Sequence, residues 1–279
     1  MVKIITDTSA LFTVEDGIHM GVDVLPLCVS IDDHQYRDLC FDTKLFLDKI
    51  KEGHVPSSSQ PPIGEVLAAY EDAKGEEILN ITMADGLSGT YQTACMAKQQ
   101  ACNASSITVL NSQTLCGPHR YLVEKAVRLR DLGKNVKEIV QELEHSIASE
   151  HSFLIPQNFD FLRRGGRLKP AAATIGGLLK LKPIMEKVEG GTRLDKFDIA
   201  RTLSKAVQHI VDFMKEDGVN EYYKIFVSHA DALEDARKIK EKLVSIFSEC
   251  EIELLDLSPA FITQGGPHIE WQFTVALAV

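Results

Sequence analysis

A serine, a threonine and two glycines share one short loop, Asp85-Gly86-Leu87-Ser88-Gly89-Thr90-Tyr91. The hydroxyl groups of Ser88 and Thr90 donate hydrogen bonds without adding charge. If a helix begins here, its unpaired N–H groups and the positive end of its dipole face the same point. Such a point suits a phosphate or a carboxylate. The loop, with Gly86 and Gly89, therefore predicts an anion site built from neutral donors.

The same loop has two other interpretations. Ser and Thr are preferred N-cap residues, so Ser88 or Thr90 would then serve only to begin a helix. The loop also approaches the G-x-S-x-G pattern of a hydrolase nucleophile, but Thr90 stands where that pattern requires Gly. His229, at the end of a predicted strand, is the candidate base for such chemistry. A Ser-dependent acyl hydrolase is therefore the alternative function.

The elements around the loop explain why its donors would converge. Glu77 to Met83 before it is short and apolar, typical of a buried strand, and Gln92 to Ala101 after it contains no Gly or Pro and favours a helix. Two further predicted strands, Val2–Ile5 and Ser106–Leu110, also end in hydroxyl-rich turns. Ligands of open parallel sheets gather beyond the carboxyl ends of the strands, so Thr8 is a candidate for the site wall. A local Ser/Thr turn is the alternative role for Thr8.

A second group of hydroxyl residues lies in Pro56-Ser57-Ser58-Ser59-Gln60-Pro61-Pro62. The prolines fix the backbone and leave the serine side chains able to bond outward. The stretch predicts either a plain loop or a second patch of donors, formed by Ser58 and Ser59.

The order of elements predicts two domains. Residues 1–155 alternate strands and helices, which indicates a parallel sheet with flanking helices. Residues 156–279 combine paired strands with long helices, which indicates a second, mixed α/β domain. Within that half, Arg163, Arg164 and Arg167 would bind an acidic group or a partner surface. Their alternative role is to pair with nearby carboxylates or to cap helix carbonyls.

Bulk composition narrows the function classes. The net charge of -10 argues against a nucleic-acid surface, which needs a clustered basic face. No apolar run is long enough to span a membrane, and the chain enters a strand at Val2, so a cytoplasmic location is expected. The six cysteines show no metal-ligand spacing, and the sequence has no G-x-G-x-x-G, P-loop or H-E-x-x-H motif. We therefore expect no metal, no cofactor and no catalytic group.

Five short motifs together resemble the markers of a known family. They are Thr6-Asp7-Thr8-Ser9, Ser58-Ser59-Gln60-Pro61-Pro62, Gly86-Leu87-Ser88-Gly89-Thr90-Tyr91-Gln92, Leu162-Arg163-Arg164-Gly165-Gly166-Arg167 and Leu181-Lys182-Pro183-Ile184. In this order they resemble the DegV family of bacterial fatty-acid-binding proteins. Some members are the lipid-binding subunit of a fatty acid kinase. Each motif alone is weak, and their common order makes the resemblance specific.

The resemblance implies a ligand and a set of contacts. A long-chain fatty acid would be held by its carboxylate at Ser58 and Ser88, with the acyl tail buried between the two domains. It links Arg201 to a kinase catalytic subunit, and we expect Arg163, Arg164 and Arg167 to belong to the same partner-docking surface. In the tail motif the family carries a His where this chain has Gln264, and His268 stands where the family has its last Gly. Gln264 and His268 complete the implied ligand-binding set, with Thr8, Ser59, Gly86, Gly89 and Thr90. A subunit that completes phosphoryl transfer is a further alternative.

One residue departs from the family in a way that bears on the ligand. The family often carries serines where this chain has Ala84 and Asp85. A carboxylate at Asp85 within a few ångströms of a bound anion would repel it by about 1 kcal/mol or more. Either Asp85 points away from the anion, or the head group differs from that of the family.

Overall fold

The computed structural model describes residues 2–156, 159–173, 181–265 and 271–277. The chain divides into two compact units, Met1–Ala148 with Ser258–Ala260, and Ser149–Leu257 with Phe261–Val279. The domain limits expected from the sequence, 1–155 and 156–279, stay predictions, since a division by proximity does not test which segments fold independently.

The first unit contains a parallel sheet and a small antiparallel one. Its strands are β1 (Val2–Asp7), β2 (Val22–Leu25), β3 (Cys28–Ile31), β4 (His34–Arg37), β5 (Ser57–Ser59), β6 (Glu77–Thr82) and β7 (Ile107–Asn111). The parallel sheet has the order β2-β1-β6-β7, and β3 pairs with β4 and β5 in the small sheet. Because β1, β6 and β7 run in one direction, their carboxyl ends meet at one edge, as the sequence predicts.

Helices cover both faces of the parallel sheet. The helices of the unit are α1 (Val14–Met20), α2 (Thr43–Lys51), α3 (Ile63–Asp72), α4 (Thr90–Gln100), α5 (Cys116–Asp131) and α6 (Val136–Ala148). Alternate strand residues point to opposite faces, so Ile4 packs with α5 and α6 while Ile5 packs with α3 and α4. The predicted α/β architecture of this half, with a parallel sheet between helices, is confirmed.

Two sequence predictions in this unit were wrong in detail. The apolar character of residues 22–31 predicts one continuous strand, but Pro26 separates β2 from β3, which belong to different sheets. Proline has no N–H group to donate to a ladder, so the chain changes sheets there. Residues 57–59 form the short strand β5 opposite β3, so the interpretation as a plain loop was wrong, while the donor patch of Ser58 and Ser59 stays a prediction.

The second unit contains a mixed six-stranded sheet. Its strands are β8 (His151–Ile155), β9 (Lys182–Val188), β10 (Arg193–Ala200), β11 (Tyr223–His229), β12 (Glu251–Asp256) and β13 (Trp271–Leu277), in the order β10-β9-β8-β13-β11-β12. Neighbours are antiparallel except β11 and β12, which are parallel. Its helices are α7 (Phe159–Gly165), α8 (Pro170–Ala173), α9 (Leu203–Glu216) and α10 (Leu233–Ile246), and α11 (Pro259–Gly265) begins in the first unit.

The core of the second unit forms where α9 and α10 pack on the sheet. Apolar residues of α9 recur at helical spacing, for example Val207, Ile210 and Val211, and they contact Ile225 and Val227 of β11. Among the described residues, no helix combines the length and apolar character needed to cross a membrane. The mixed α/β character predicted for this half is confirmed.

Candidate functional site

The loop that joins β6 to α4 is held by its own backbone. The amide of Ala84 donates to the carbonyl of Thr114, and the amide of Ser88 donates to the carbonyl of Ala84 at 3.3 Å. Gly86 has a φ of 88°, in the left-handed region that favours glycine, and it is exposed. The loop therefore presents Ser88 from a defined backbone instead of a flexible one.

The hydroxyl groups of Ser88 and Thr90 lie next to each other. Their oxygen atoms are 2.8 Å apart, and the amide of Thr90 donates to Ser88 Oγ at 3.3 Å. Thr90 is 4% exposed, whereas Ser88 is half-buried. When the Thr90 hydroxyl donates to Ser88, the proton of Ser88 remains available to a ligand, and donor chains of this kind strengthen each bond.

The interpretation of Ser88 or Thr90 as the N-cap residue of α4 was wrong, but Ser88 Oγ still accepts from the amide of Thr90, the first residue of that helix. The N-cap of α4 is Gly89, which offers no side-chain bond to the first turn. The carbonyl of Gly89 accepts from the amide of Thr93, as a helix start requires. The amide of Thr90 is bonded to Ser88 Oγ, whereas the amides of Tyr91 and Gln92 have no partner within the helix, so these two amides and the dipole end act on the space beside Ser88.

The serine and proline motif of residues 56–62 packs against this loop. A Cβ atom placed on Gly89 would lie 3.1 Å from Oε1 of Gln60, so glycine lets the Gln60 side chain approach the start of α4. In β5 successive side chains alternate, which puts Ser58 on the opposite face from Ser59. The structure thus brings together two motifs that are separated by a whole helix in the sequence.

A cavity of about 320 Å³ lies where residues 59–63 face Thr93 and Met96 of α4. Ser59, Gln60 and Thr93 provide polar atoms at its wall, and Pro61, Pro62, Ile63 and Met96 provide apolar surface. Met96 and Ile63 are partly exposed large apolar side chains, so hydrocarbon placed there would shield them from water. An apolar wall beside hydroxyl donors suits a ligand with one polar end and one apolar end.

Asp85, the charged residue in the loop, already has a partner. Its Oδ2 atom accepts a hydrogen bond from Nε2 of Gln92 at 3.0 Å, and its amide donates to Oδ1 of Asn111. One carboxylate oxygen therefore faces the amide of Gln92 on α4. Because the carboxylate of Asp85 is bonded to Gln92, the loop can bind an anion near Ser88 despite the negative charge of Asp85.

Thr8 is buried and its hydroxyl is occupied on both sides. It donates to Oδ2 of Asp38 at 2.8 Å and accepts from the amide of Leu27 at 3.1 Å. Asp38 also accepts from the hydroxyl of Ser258 and the amide of Ala260. Burial raises the pKa of Asp38 to about 6, although these three donors lower it. Direct ligand binding by Thr8 stays a prediction, and its observed contact positions Asp38.

Asp7 and His119 were not recognised from the sequence as members of one network. Asp7 accepts from the amides of Ser9 and Met83, so it ties the end of β1 to the end of β6. His119 Nδ1 lies 2.7 Å from Ser9 Oγ. Burial lowers the pKa of His119, which keeps the ring neutral. His119 directly follows Pro118 in α5. No spacing pattern in the sequence indicates that it contacts the end of β1.

These contacts do not support the interpretation of Ser88 as a hydrolase nucleophile. Within the described part of the chain, the bonds of the Ser88 hydroxyl are to Thr90 and none is to a histidine. The serine that does contact a histidine is Ser9, and both Ser9 and His119 are fully buried. A buried pair without access cannot attack a substrate.

The arginines of the second unit differ in their surroundings. Arg163, Arg164 and Arg201 are exposed, and the guanidinium of Arg164 lies 5.0 Å from the ring centre of Phe161. Arg167 is half-buried and donates to the carbonyl of Gly165, the last residue of α7. That contact matches the capping role considered from the sequence. The docking role of all four arginines stays a prediction.

The two ligand residues predicted in the tail motif have different outcomes. The side chain of Gln264 packs against Gly165, where a Cβ atom would collide with it, and its Nε2 atom donates to Thr263. Gln264 therefore lies beside the arginine motif. His268 lies outside the described residues.

Comparison with known proteins tests the family resemblance that these motifs suggest. The family model described as "Uncharacterised protein, DegV family" matches residues 1–269. A DegV domain-containing protein of Staphylococcus aureus strain N315 is 31% identical over 267 residues, which is 94% of each chain. The crystal structure of DegV, described as a fatty acid binding protein from Bacillus subtilis, is 29% identical with a TM-score of 0.87 over 99% of each chain. A DegV family protein from Thermus thermophilus, whose structure is described by its fatty acid binding, is 25% identical with a TM-score of 0.88 over 99% of each chain.

Proposed function

We propose, because this chain belongs to the DegV family, that it binds a long-chain fatty acid by its carboxylate. The observation that carries the proposal is the hydroxyl pair of Ser88 and Thr90 at the start of α4. Solved relatives described as fatty-acid-binding proteins support the choice of ligand. The protein then acts as a lipid binder without catalytic groups.

The carboxylate would receive donors of three kinds. The Ser88 hydroxyl, supported by Thr90, donates from the loop, and the first-turn N–H groups of α4 donate from the backbone. Ser58 would donate from β5, which is close because Gln60 contacts Gly89. Neutral donors and a helix dipole bind an ionised carboxylate while leaving its chemistry unchanged.

Most of the affinity would come from the tail. Each buried CH₂ group contributes about 0.8 kcal/mol, so a chain of a dozen or more carbons binds tightly even with a modest head-group site. Ile63 and Met96, beside Ser59 and Gln60 in the cavity of about 320 Å³, would offer apolar surface to part of the tail.

We expect the purified protein to retain one long-chain fatty acid without a covalent bond. Native mass spectrometry should show the added mass of one fatty acid, and the same sample under denaturing conditions should show the bare chain. A covalent acyl adduct on Ser88 would support the hydrolase alternative instead. If delipidated protein takes up no fatty acid in calorimetry, the proposal fails.

A kinase catalytic subunit is the partner that the family resemblance implies. The exposed guanidinium groups of Arg163, Arg164 and Arg201 would dock on acidic groups of that subunit, because the planar fork of arginine pairs well with carboxylates and phosphates. Arg201 precedes α9, whose N-cap is Thr202, so it can be changed without removing the cap.

Charge reversal by Arg201→Glu should weaken docking to a cognate kinase several-fold and leave lipid affinity unchanged. Rim charges act mainly on association rate and on salt dependence, so the loss should shrink at high salt. Surface plasmon resonance with the kinase and calorimetry with fatty acid measure the two effects, and Lys205→Glu in the first turn of α9 tests for simple charge repulsion. A fall in lipid affinity would place Arg201 in the lipid site and contradict the docking role.

A further inference from the structure

A second cavity, of about 510 Å³, lies in the second unit at the carboxyl ends of β11 and β12. These strands are the parallel pair of the sheet and are connected through α10. Crevices at the carboxyl ends of parallel strands are where ligands bind in open α/β sheets. Its walls include the end of β11, the loop that enters α10, and the end of β12.

The charges around this cavity favour a cation. Four carboxylates line it, on Asp231, Glu234, Asp235 and Asp256. Lys238 lies 3.4 Å from Asp235 and offsets one of them. The start of α10 contributes about half a positive charge, which does not balance the remaining carboxylates. An anion is therefore disfavoured here, although a helix begins at the cavity.

A buried histidine with one unpaired ring nitrogen also lines this cavity. His229 is 3% exposed, and its Nδ1 atom has no hydrogen-bond partner among the described residues. Its nearest charged neighbour is Oδ1 of Asp256, 3.5 Å away. Buried side-chain nitrogen atoms almost always have a partner, so an unpaired one at a cavity wall indicates where a ligand group belongs. Burial lowers the pKa of His229, and the charges of Asp256 and Asp231 oppose this effect. The neutral ring can then accept a hydrogen bond at its unpaired nitrogen.

We propose that this cavity binds a small organic cation that carries a primary ammonium group. The three N–H donors of an ammonium group match Nδ1 of His229 and the carboxylates of Asp256 and Asp231. A metal ion fits less well, because the described residues contain no group of three or more ligating side chains placed to hold one. This site is separate from the lipid proposal and does not depend on it.

Calorimetry with putrescine tests the proposal directly. We expect saturable binding of one putrescine to the full chain, and no binding of butanediol, which has the same length without the charges. Asp256→Asn should weaken putrescine binding about fivefold, the upper range for a solvent-accessible ion pair. Asp256 is 90% exposed, so this change should not disturb folding. His229→Gln should weaken binding as well, with circular dichroism to verify its fold.

Glu241→Gln is the matched control. Glu241 is exposed on the same helix, α10, about 12 Å along its axis from Leu233, and its change removes the same charge away from the cavity. Its putrescine affinity should equal that of the parent protein. An equal loss in Glu241→Gln and Asp256→Asn would show that only the net charge attracts the amine. Absence of saturable binding, equal binding of butanediol, or tighter binding of Mg²⁺ that is lost in Asp256→Asn would each overturn the proposal.

Discussion

Replacement of Ser88 by alanine should weaken fatty acid binding about ten- to a hundredfold. A hydrogen bond to a charged group contributes about 1.5 to 3 kcal/mol, and Ser88→Ala removes the outward hydroxyl of the pair with Thr90. Ser58→Ala should cost less, because Ser58 offers a side chain from β5 without helix N–H groups beside it. The double variant should show coupling, since both hydroxyls would contact one carboxylate. Calorimetry on delipidated proteins gives the affinities.

Fatty alcohols separate a head-group role from a structural one. They lack the charge, so Ser88→Ala should bind a long-chain alcohol nearly as well as the parent protein does. Ser57→Ala is the matched control, because Ser57 is exposed in the same strand as Ser58 and pairs in the ladder opposite Ser30. Equal losses for acid and alcohol would mean that Ser88 only maintains the loop, and the assignment of the site would be wrong.

The second large effect concerns stability and its dependence on pH. Asp38 is fully buried, and its pKa in the folded protein is raised to about 6, from 3.8, mainly by burial. Between pH 4 and 6 the folded state therefore keeps a proton that the unfolded chain releases. The stabilising effect of that proton is complete below pH 4 and is lost as the pH rises through 6. A difference of this size corresponds to about 3 kcal/mol in the free energy of unfolding.

Asp38→Asn removes this titration and keeps an acceptor for the amide of Ala260. The stability of the variant relative to the parent should therefore rise by about 3 kcal/mol from pH 4 to pH 7, measured by urea unfolding at each pH. Asp33→Asn, at an exposed position nearby, should show no such trend. A relative stability that falls with pH would mean that the three donors outweigh burial and hold Asp38 ionised.

Local sequence patterns predicted the positions of strands and helices well where the residues of the segment itself favour one structure. The apolar run before Gly86 and the helix-forming run after Thr90 became β6 and α4, and three strand ends met at one sheet edge. The fold class followed from the alternation of strands and helices. The ordered motifs led to the family, because an order of weak motifs carries information that no single motif has.

What the sequence could not supply were contacts between distant residues. Asp38 lies in an unremarkable turn, and its burial depends on Thr8 and Ser258, which are 30 and 220 residues away. His119 directly follows Pro118, and its ring contacts Ser9, which is 110 residues away. Ser58 was read as part of a loop, because the β5 ladder consists of only three residues and depends on β3. Such contacts leave no periodicity in the chain.

The grouping of Ser258–Ala260 with the first unit bears on how the protein is made. A ribosome adds about 5 to 20 residues per second, so the segment emerges several seconds or more after Ala148 completes α6. During that interval Asp38 lacks the hydroxyl of Ser258 and the amide of Ala260. The first unit therefore waits in an unfinished form until nearly the whole chain has been synthesised. The bonds of Asp38 to Ser258 and Ala260 can form only after the ribosome has synthesised residues 258–260. The last folding step of the first unit therefore depends on synthesis of nearly the whole chain.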